Sequence, residues 1–295
     1  MDDDPRANAV DGTMERQCQS RLRSHLEVVA RERDIYMATG GRVLVREYLR
    51  QQLGQWGPVQ AQTFEAAGLA GENLVLQLPG VEAVGPPLLV GAHYDGVPGS
   101  PGADDNATGV AVLLELARAW SIQPLPCPVQ LVAFDLEEYG LLGSWAYIQR
   151  QAQNSPLRLM LSLEMLGYCD PRPGSQRYPS GLQWLYPRQG NFIALVGNLP
   201  AWRQTRQLSQ QMRQQVPCEW LMAGWRGGLV PATRRSDHAP FWDSGYQAIM
   251  VTDTSFLRNP HYHQPSDRPE TLDFAFLTRV CLGLEQGLRQ LMAMS

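Results

Sequence analysis

Four stretches of the sequence place acidic residues or histidines directly after an apolar run. The first, "VGAHYDGVPGSPGADDNATG" (90–109), combines His93 and Asp95 with a pair of aspartates. The others contain "DLEE" (135–138), "SLEM" (162–165) and "TD" (252–253), and the last is followed by "NPHYHQPSD" (259–267). Unpaired carboxylates that are buried together repel one another and cost several kcal/mol each. Such a concentration of acids therefore needs cations.

The residue types indicate which cations these are. Histidine together with Asp and Glu, and without Cys, is the ligand set of catalytic zinc or a similar divalent ion, whereas oxygen ligands alone would indicate magnesium or calcium. The chain has five histidines, and four of them (His93, His238, His261 and His263) fall in the polar stretches of the sequence. The sequence therefore predicts a site in which histidines and carboxylates bind metal.

The elements between these stretches alternate in type. Short runs rich in Val and Leu predict buried strands, and amphipathic segments between them predict helices, which indicates a mostly parallel sheet covered on both faces. In open sheets of this kind the ligand crevice lies outside the carboxyl ends of the strands, where the acidic residues fall. Strands are predicted at 72–80, 86–95, 128–138, 158–168, 191–197 and 246–253, and helices within 14–53 (broken at 38–41) and at 107–120, 139–151, 202–215 and 277–294.

Length and composition favour one globular domain. A chain of 295 residues is compatible with a single α/β domain, in which we expect residues 1–13 to be flexible and 169–190 to form a loop insertion near the site. The net charge of −4 provides no basic surface for nucleic acid, and no apolar run approaches the ~18 residues that cross a membrane, so neither partner is expected. Five cysteines without a C-x-x-C pair, and no visible secretory signal, favour the cytoplasm.

Four motifs, in this order, resemble those of the co-catalytic zinc exopeptidases, which include bacterial leucyl aminopeptidases, glutamate carboxypeptidases and glutaminyl cyclases. "HYD" (93–95) is similar to the family's H-x-D, "GADDNATG" (102–109) to G-A-D-D-x-x-[ST]-G, and "DLEEYGLLGS" (135–144) to E-E-x-G-x-x-G-S. The fourth, "SDHAPFWDSGYQAI" (236–249) together with "NPHYHQPSD" (259–267), is similar to its S-D-H and terminal H-x-x-x-D elements. The resemblance implies a single α/β domain with a mixed, mostly parallel sheet flanked by helices. It also implies a zinc-dependent exopeptidase, most simply an aminopeptidase acting on peptides.

The resemblance assigns metal ligands as well. It implies two zinc ions per chain, although one is an alternative, with His93 on the first zinc and Asp104 bridging both. Glu138 and His263 are expected on the second zinc. Glu164 stands where the aminopeptidases usually have an aspartate, and because glutamate supplies the same oxygen donor it is expected on the first zinc.

Two further residues are expected to serve catalysis directly. Glu137 is implied as the general base, which takes a proton from the activated water and passes it to the leaving amine. Asp95 is implied as the carboxylate that fixes the His93 ring and raises its basicity. The resemblance also implies a cis peptide bond between Asp104 and Asp105, and Asp105 or Asn106 is expected to cap the following helix.

Other residues are candidates for supporting or substrate-binding roles. Asp237 and His238 are expected to be mainly architectural, Asp267 to cap the helix or orient His263, and His261 to form loop hydrogen bonds. Some members of the family have an oxyanion-holding tyrosine before S-D-H, and "VPATRRSDH" (230–238) leaves that role open. The substrate-binding candidates are Tyr178, Trp184 and Arg234, and the arginines Arg226, Arg234 and Arg235 either clamp a substrate carboxylate or are surface charges.

Two other functions stay open on these residues. Glutaminyl-peptide cyclotransferases use one zinc on the same scaffold, but they tend to lose the second aspartate of the pair, so "GADDN" (102–106) favours hydrolysis. A metal-free binding protein is a third alternative. Such relatives lose ligands and the base, whereas here every position holds a competent residue.

Overall fold

The described part of the chain contains a sheet of eight strands: β1 (Val59–Ala66), β2 (Leu69–Leu78), β3 (Leu88–His93), β4 (Val129–Phe134), β5 (Leu159–Glu164), β6 (Ile193–Gly197), β7 (Cys218–Met222) and β8 (Ala248–Thr252). The structure, a computed structural model, describes residues 5–82, 85–151 and 156–294. The strand order is β1-β2-β4-β3-β5-β8-β6-β7. The four central strands are parallel, β1-β2, β2-β4 and β6-β8 pair antiparallel, and β7 is parallel to β6.

The central strands are the ones that the apolar runs predicted. Every residue of β3, β5 and β8 is buried, as expected for strands covered on both faces. The prediction of a single α/β domain with a mixed, mostly parallel sheet is confirmed. The two outermost strands, β1 and β7, were not predicted, because "VQAQTFEA" mixes polar with apolar residues and "CEWLM" is short and only partly buried.

Helices cover both faces of the sheet: α1 (Pro5–Val29), α2 (Thr39–Gly54), α3 (Gly109–Ile122), α4 (Leu142–Gln151), α5 (Trp202–Met212), α6 (His238–Asp243) and α7 (Phe274–Ala293). Alternate strand residues point to opposite faces. Leu74 and Val90 accordingly pack in a larger core with α1, α2, α3, α5 and α7, whereas Val75 and Leu89 pack in a smaller core with α4 and α6. None of the described helices is long and apolar enough to cross a membrane.

The prediction of flexibility for residues 1–13 falls in part on residues 1–4, which lie outside the described residues, and it stays a prediction. The break predicted at 38–41 lies too late in the chain, because α1 ends at Val29 and α2 already begins at Thr39, so the segment between the two helices is 30–38. Helix α6 was not predicted because it has only six residues, too few to show a helical period.

A buried ion pair joins α2 to the end of β4. The Arg42 guanidinium donates hydrogen bonds to both carboxylate oxygens of Asp135, with Nε at 3.0 Å from Oδ1. Asp135 is fully buried and also accepts the backbone N–H groups of Glu72 (2.9 Å) and Leu136 (3.1 Å). Because Asp135 directly precedes the "LEE" segment, this pair fixes the point at which the chain leaves the sheet toward Glu137.

We expect Arg42→Met to lower the free energy of unfolding by about 3 kcal/mol, because it leaves the buried Asp135 charge without its partner. Denaturation with guanidinium chloride measures this change. Arg46→Met is the matched control on the same helix: the partly exposed Arg46 pairs with Glu47 at 3.3 Å and more loosely with Glu72 at 3.7 Å, and its loss should cost less than about 1 kcal/mol. Equal losses in the two variants would contradict a structural role for the Arg42–Asp135 pair.

Candidate metal centre and active site

The ends of three neighbouring strands deliver the ligand candidates to one edge of the sheet. His93 is the last residue of β3 and Glu164 the last residue of β5, its parallel neighbour. Glu137 and Glu138 lie just beyond the end of β4, which pairs with the other side of β3. His93, Glu137 and Glu164 are all buried. The sequence prediction that these residues meet at the carboxyl ends of the strands therefore agrees with the structure.

The carboxylate of Asp105 lies between two imidazoles. Its Oδ1 is 3.4 Å from Nε2 of His93, and its Oδ2 is 3.1 Å from Nε2 of His263. A second carboxylate stands on each side: Oε2 of Glu164 is 3.6 Å from the His93 Nε2, and Oε2 of Glu138 is 3.4 Å from the His263 Nε2. We call His93, Asp105, Glu138, Glu164 and His263 the ligand cluster.

The bridging position therefore corrects the prediction for Asp104. Both oxygens of Asp104 are already used, because Oδ1 accepts the backbone N–H of Gly167 (2.9 Å) and Oδ2 accepts the side-chain amide of Asn259 (2.7 Å). Asp104 thus holds the loop, and Asp105, which was expected to cap the helix, takes the bridging place. The cis peptide bond lies between Asp105 and Asn106, one residue later than expected. The cap is Asn106, whose Oδ1 accepts the Gly109 N–H at 3.2 Å.

The ligand cluster fits a pair of divalent cations. Among the described residues, both ring nitrogens of His93, Nε2 of His263 and Oε1 of Glu138 are buried without a hydrogen-bond partner, which is rare for buried polar atoms. Three groups among the described residues bring one ligand atom per residue to within 4.8 Å of one another: His93, Glu137 and Glu138; His93, Asp105 and Glu164; and Asp105, Glu138 and His263. Imidazole with carboxylate suits zinc. The second and third groups share Asp105 and together contain the whole ligand cluster.

Two other aspartates hold the chain that carries the ligands. Asp95 accepts the backbone N–H groups of Glu137 (3.0 Å) and Glu138 (3.2 Å), and its Oδ1 is 3.5 Å from Nδ1 of His93. Asp267 accepts the backbone N–H groups of Asp104 (2.9 Å) and Asp105 (3.1 Å). Asp267 therefore binds the backbone of the loop that leads into α3. This contact resembles the helix-capping role predicted for Asp267 more than the alternative role of orienting His263.

Arg33 holds the same loop, and sequence reasoning did not identify it. Its guanidinium is fully buried and has no carboxylate within ion-pair distance in the described chain. It donates instead to backbone carbonyl oxygens, including those of Tyr94 (2.9 Å), Pro101 (2.6 Å), Gly102 (2.9 Å) and Asp105 (3.0 Å). A partner set made of carbonyl groups leaves no signal in the sequence, where "RERD" (31–34) looks like an ordinary charged segment after a helix.

The charges of the site act strongly on one another. Burial raises the pKa of the Glu137 carboxyl well above its usual range, and the nearby Glu164 and Glu138 add to this against the opposing effect of His93. Burial and the Asp105 charge raise the pKa of Glu138 to about 7. Burial lowers the pKa of His263, but Asp105 and Glu138 outweigh it and raise that pKa to about 10. A buried carboxyl with a raised pKa beside a metal-binding cluster is suited to general-base chemistry.

A family model described as peptidase family M28 matches residues 73–284. The chain belongs to this family. The resemblance to zinc exopeptidases and the prediction of a peptide-bond hydrolase are thereby confirmed.

Relatives and solved structures agree with this assignment. YfbL of Escherichia coli strain K12 is 36% identical over 251 residues, which cover 81% of this chain and 77% of YfbL. Aminopeptidase YwaD of Bacillus subtilis strain 168 is 30% identical over 188 residues, which cover 62% of this chain but only 36% of YwaD. The LapA aminopeptidase of Legionella pneumophila superimposes with a TM-score of 0.69 at 20% identity (92% of this chain, 71% of LapA). The glutaminyl cyclase of Macrostomum lignano superimposes with 0.71 at 16% (95% and 91%). At these identities the two structures show the fold alone.

In this M28 peptidase the "SDH" segment supports the cluster from behind. Ser236 donates a hydrogen bond through Oγ to Oε2 of Glu164 at 2.7 Å. Asp237 is fully buried, and burial raises its pKa to about 7. His238 packs edge-on against Trp242 and has Nε2 at 2.8 Å from the Thr233 carbonyl oxygen. His261, on the later loop, bonds Ser266. The contacts of His238 and His261 are compatible with the architectural and loop roles expected for them, whereas neither carboxylate oxygen of Asp237 has a hydrogen-bond partner among the described residues, so its architectural role stays a prediction.

Beside the cluster of this M28 peptidase lies a pocket with mostly aromatic and aliphatic walls. We call it the aromatic pocket, and its lining includes Glu164, Tyr178, Tyr186, Trp220, Phe256 and Tyr262. Tyr178 and Tyr186 come from the long loop 169–190, which therefore lines this pocket. The Tyr262 ring stacks on His263 with centroids 3.8 Å apart, so the pocket adjoins the ligand cluster directly.

Two predicted substrate-binding residues are corrected. Trp184 is 82% exposed and does not line the aromatic pocket, because its short turn carries the ring into solvent. Arg234 is engaged elsewhere: its guanidinium forms a two-bonded ion pair with Asp243 at 3.0 and 2.6 Å. The neighbouring Arg235 lines the pocket in its place.

We expect Asp105→Asn to lower the amount of zinc bound per chain by more than half, because two of the candidate cation groups share this carboxylate. Atomic emission analysis after dialysis measures the metal content. Asp104→Asn is the matched control at the adjacent position, and it should retain its zinc. Loss of zinc in Asp104→Asn, with retention in Asp105→Asn, would restore Asp104 as the bridging residue.

His238 gives an expected pH dependence of stability. Burial lowers its folded-state pKa from 6.5 to about 3, so between these values the unfolded chain binds a proton that the folded protein does not. Stability from this group is therefore complete above about pH 6.5 and is lost as the pH falls, by about 2 kcal/mol at pH 5. Denaturant unfolding at pH 7 and pH 5 should show a pH effect smaller by about this amount in His238→Gln. An identical pH effect in both proteins would show that His238 is protonated in the fold.

Proposed function

We propose that this protein is an aminopeptidase that binds two zinc ions per chain. The observation that carries the proposal is the Asp105 carboxylate, which turns one oxygen toward His93 and the other toward His263. A carboxylate in this position can be shared by two cations. Glu164 and Glu138 supply one further oxygen ligand on each side.

The names of similar proteins support the amino-terminal direction of attack. YwaD and LapA are both named aminopeptidases. The match covers only 36% of the length of YwaD. The aminopeptidase activity of that protein is therefore part of our proposal for this chain. The metal stoichiometry rests on the ligand cluster itself.

His93, Asp105 and Glu164 would hold one zinc, and Asp105, Glu138 and His263 the other. When bound, zinc polarises the carbonyl of the peptide bond and lowers the pKa of a water molecule. Asp95 contributes by holding the backbone of Glu137 and Glu138, which fixes where both glutamates stand. Glu164 of the ligand cluster also lines the aromatic pocket, so a substrate in the pocket would lie next to the cluster.

Glu137 is the proton carrier of this site. It is buried at the cluster, and burial raises its pKa, which makes its carboxylate a stronger base than an exposed one. It takes the proton from the attacking water and delivers it to the nitrogen of the leaving amine. The N-terminal side chain of the substrate enters the aromatic pocket, since an aminopeptidase has a single residue on that side of the bond.

We expect Glu137→Gln to lower kcat by about 10² to 10⁴ while zinc content stays unchanged, because the amide keeps the shape of the side chain but cannot take a proton. Hydrolysis of leucine p-nitroanilide measures kcat, and atomic emission measures zinc. Glu47→Gln, an exposed position on α2, is the control and should leave both values unchanged. Full turnover in a zinc-replete Glu137→Gln protein would contradict the assignment of the base.

Glutaminyl cyclisation is the alternative outcome of the same assay. The zinc-loaded protein is incubated separately with leucine p-nitroanilide and with a peptide that begins with glutamine, and products are identified by mass spectrometry. Release of nitroaniline supports the aminopeptidase. Loss of ammonia from the glutamine peptide, with no release of nitroaniline, contradicts it and identifies a cyclase.

A further inference from the structure

The aromatic pocket carries one charge that nothing in the described chain neutralises. Three charged side chains line it: Glu164, Glu219 and Arg235. Glu164 belongs to the ligand cluster, and Glu219 forms an ion pair with Arg213 at 3.1 Å. Arg235 is exposed to solvent as well as lining the pocket, and it has no carboxylate within ion-pair distance among the residues the structure describes. The charge available to a substrate in this pocket is therefore positive.

The position of Arg235 places this charge close to the reacting centre. Its neighbour Ser236 bonds Glu164 directly, so the Arg235 backbone is fixed beside the ligand cluster. The guanidinium lies over the ring of Phe256, with its central carbon 5.1 Å from the ring centroid. Contact with an aromatic face holds an arginine without consuming its N–H donors, so those donors stay available to a carboxylate.

The rest of the pocket suits the hydrocarbon part of a side chain. Tyr178 and Tyr186 stack with ring centroids 6.0 Å apart, and the Tyr186 hydroxyl is taken up by the Trp220 carbonyl oxygen at 2.9 Å. Aromatic faces of this kind contact methylene groups, whereas a buried side-chain charge needs an opposite charge. Arg235 supplies it for an anion and repels a cation.

We propose that Arg235 is a specificity-determining residue that selects the N-terminal residue of the substrate by charge, favouring glutamate and excluding lysine. This inference rests on the proposed aminopeptidase function, which places the N-terminal side chain in the aromatic pocket. The aromatic walls take the methylene groups of the glutamate side chain, and the guanidinium takes its carboxylate.

The test compares kcat/KM of the zinc-loaded protein for the p-nitroanilides of glutamate, methionine and lysine, whose unbranched side chains are similar in width and differ in charge. Arg235→Met should lower the ratio of glutamate to methionine cleavage by roughly 10- to 100-fold, the range for a hydrogen bond to a charged group. The loss should appear mainly in KM, because the contact is made in the ground state as well. Arg235→Lys should keep most of the preference.

Arg235→Glu separates a charge effect from a packing effect, because it should reverse the order so that lysine is cleaved faster than glutamate. Arg206→Met and Arg206→Glu make the same charge changes on the exposed face of α5, outside the pocket, and should leave all three ratios unchanged. Unchanged ratios in Arg235→Met and Arg235→Glu, with methionine still cleaved, would overturn this inference and leave the proposed function intact. Failure of the wild-type protein to cleave any of the three would overturn both.

Discussion

Carboxylates buried side by side repel one another, and this repulsion is the constraint on which the rest of the structure depends. Asp95, Asp105, Glu137 and Glu164 are all buried at one edge of the sheet. Imidazoles, backbone N–H groups and the fully buried Arg33 supply positive potential that reduces the repulsion between these carboxylates. These groups do not compensate all of the negative charge. Several nitrogen and oxygen atoms of the ligand cluster remain buried without a hydrogen-bond partner, and divalent cations fit at these atoms.

The acids divide into two kinds according to what their oxygens already bind. Asp95 and Asp267 each accept two backbone N–H groups, and Asp104 accepts one together with an amide. Asp105 turns its oxygens toward the two imidazoles instead. Carboxylates whose oxygens already accept hydrogen bonds from the protein hold the loops, and carboxylates without such donors are available to bind metal. The adjacent Asp104 and Asp105 therefore have different roles.

The sequence predicts those parts of the molecule that depend on local pattern. Apolar runs locate the central strands, and their polar ends locate His93, Glu137 and Glu164, because both follow from burial within one segment. The choice between Asp104 and Asp105 does not follow in this way, since it is decided by the backbone path of the turn and by Gly167 and Asn259, which are distant in the chain. The role of Arg33 could not be predicted for the same reason, since its partners are backbone carbonyl groups of residues distant in the chain. Arg234 was wrongly predicted to bind substrate because its partner, Asp243, lies on another element.

The hydrogen bonds around Asp105 also determine when the ligand cluster can assemble during synthesis of the chain. The loop is held from one side by Arg33 and from the other by Asp267, which lies 162 positions beyond Asp105. His263 comes from the same late segment, after β8, the last strand of the sheet in chain order. During synthesis, all eight strands therefore leave the ribosome before the ligand cluster can close. A chain that stops short of Asp267 contains all eight strands but lacks the two hydrogen bonds that hold the backbone of Asp104 and Asp105, and with them the position of the carboxylate that faces both imidazoles.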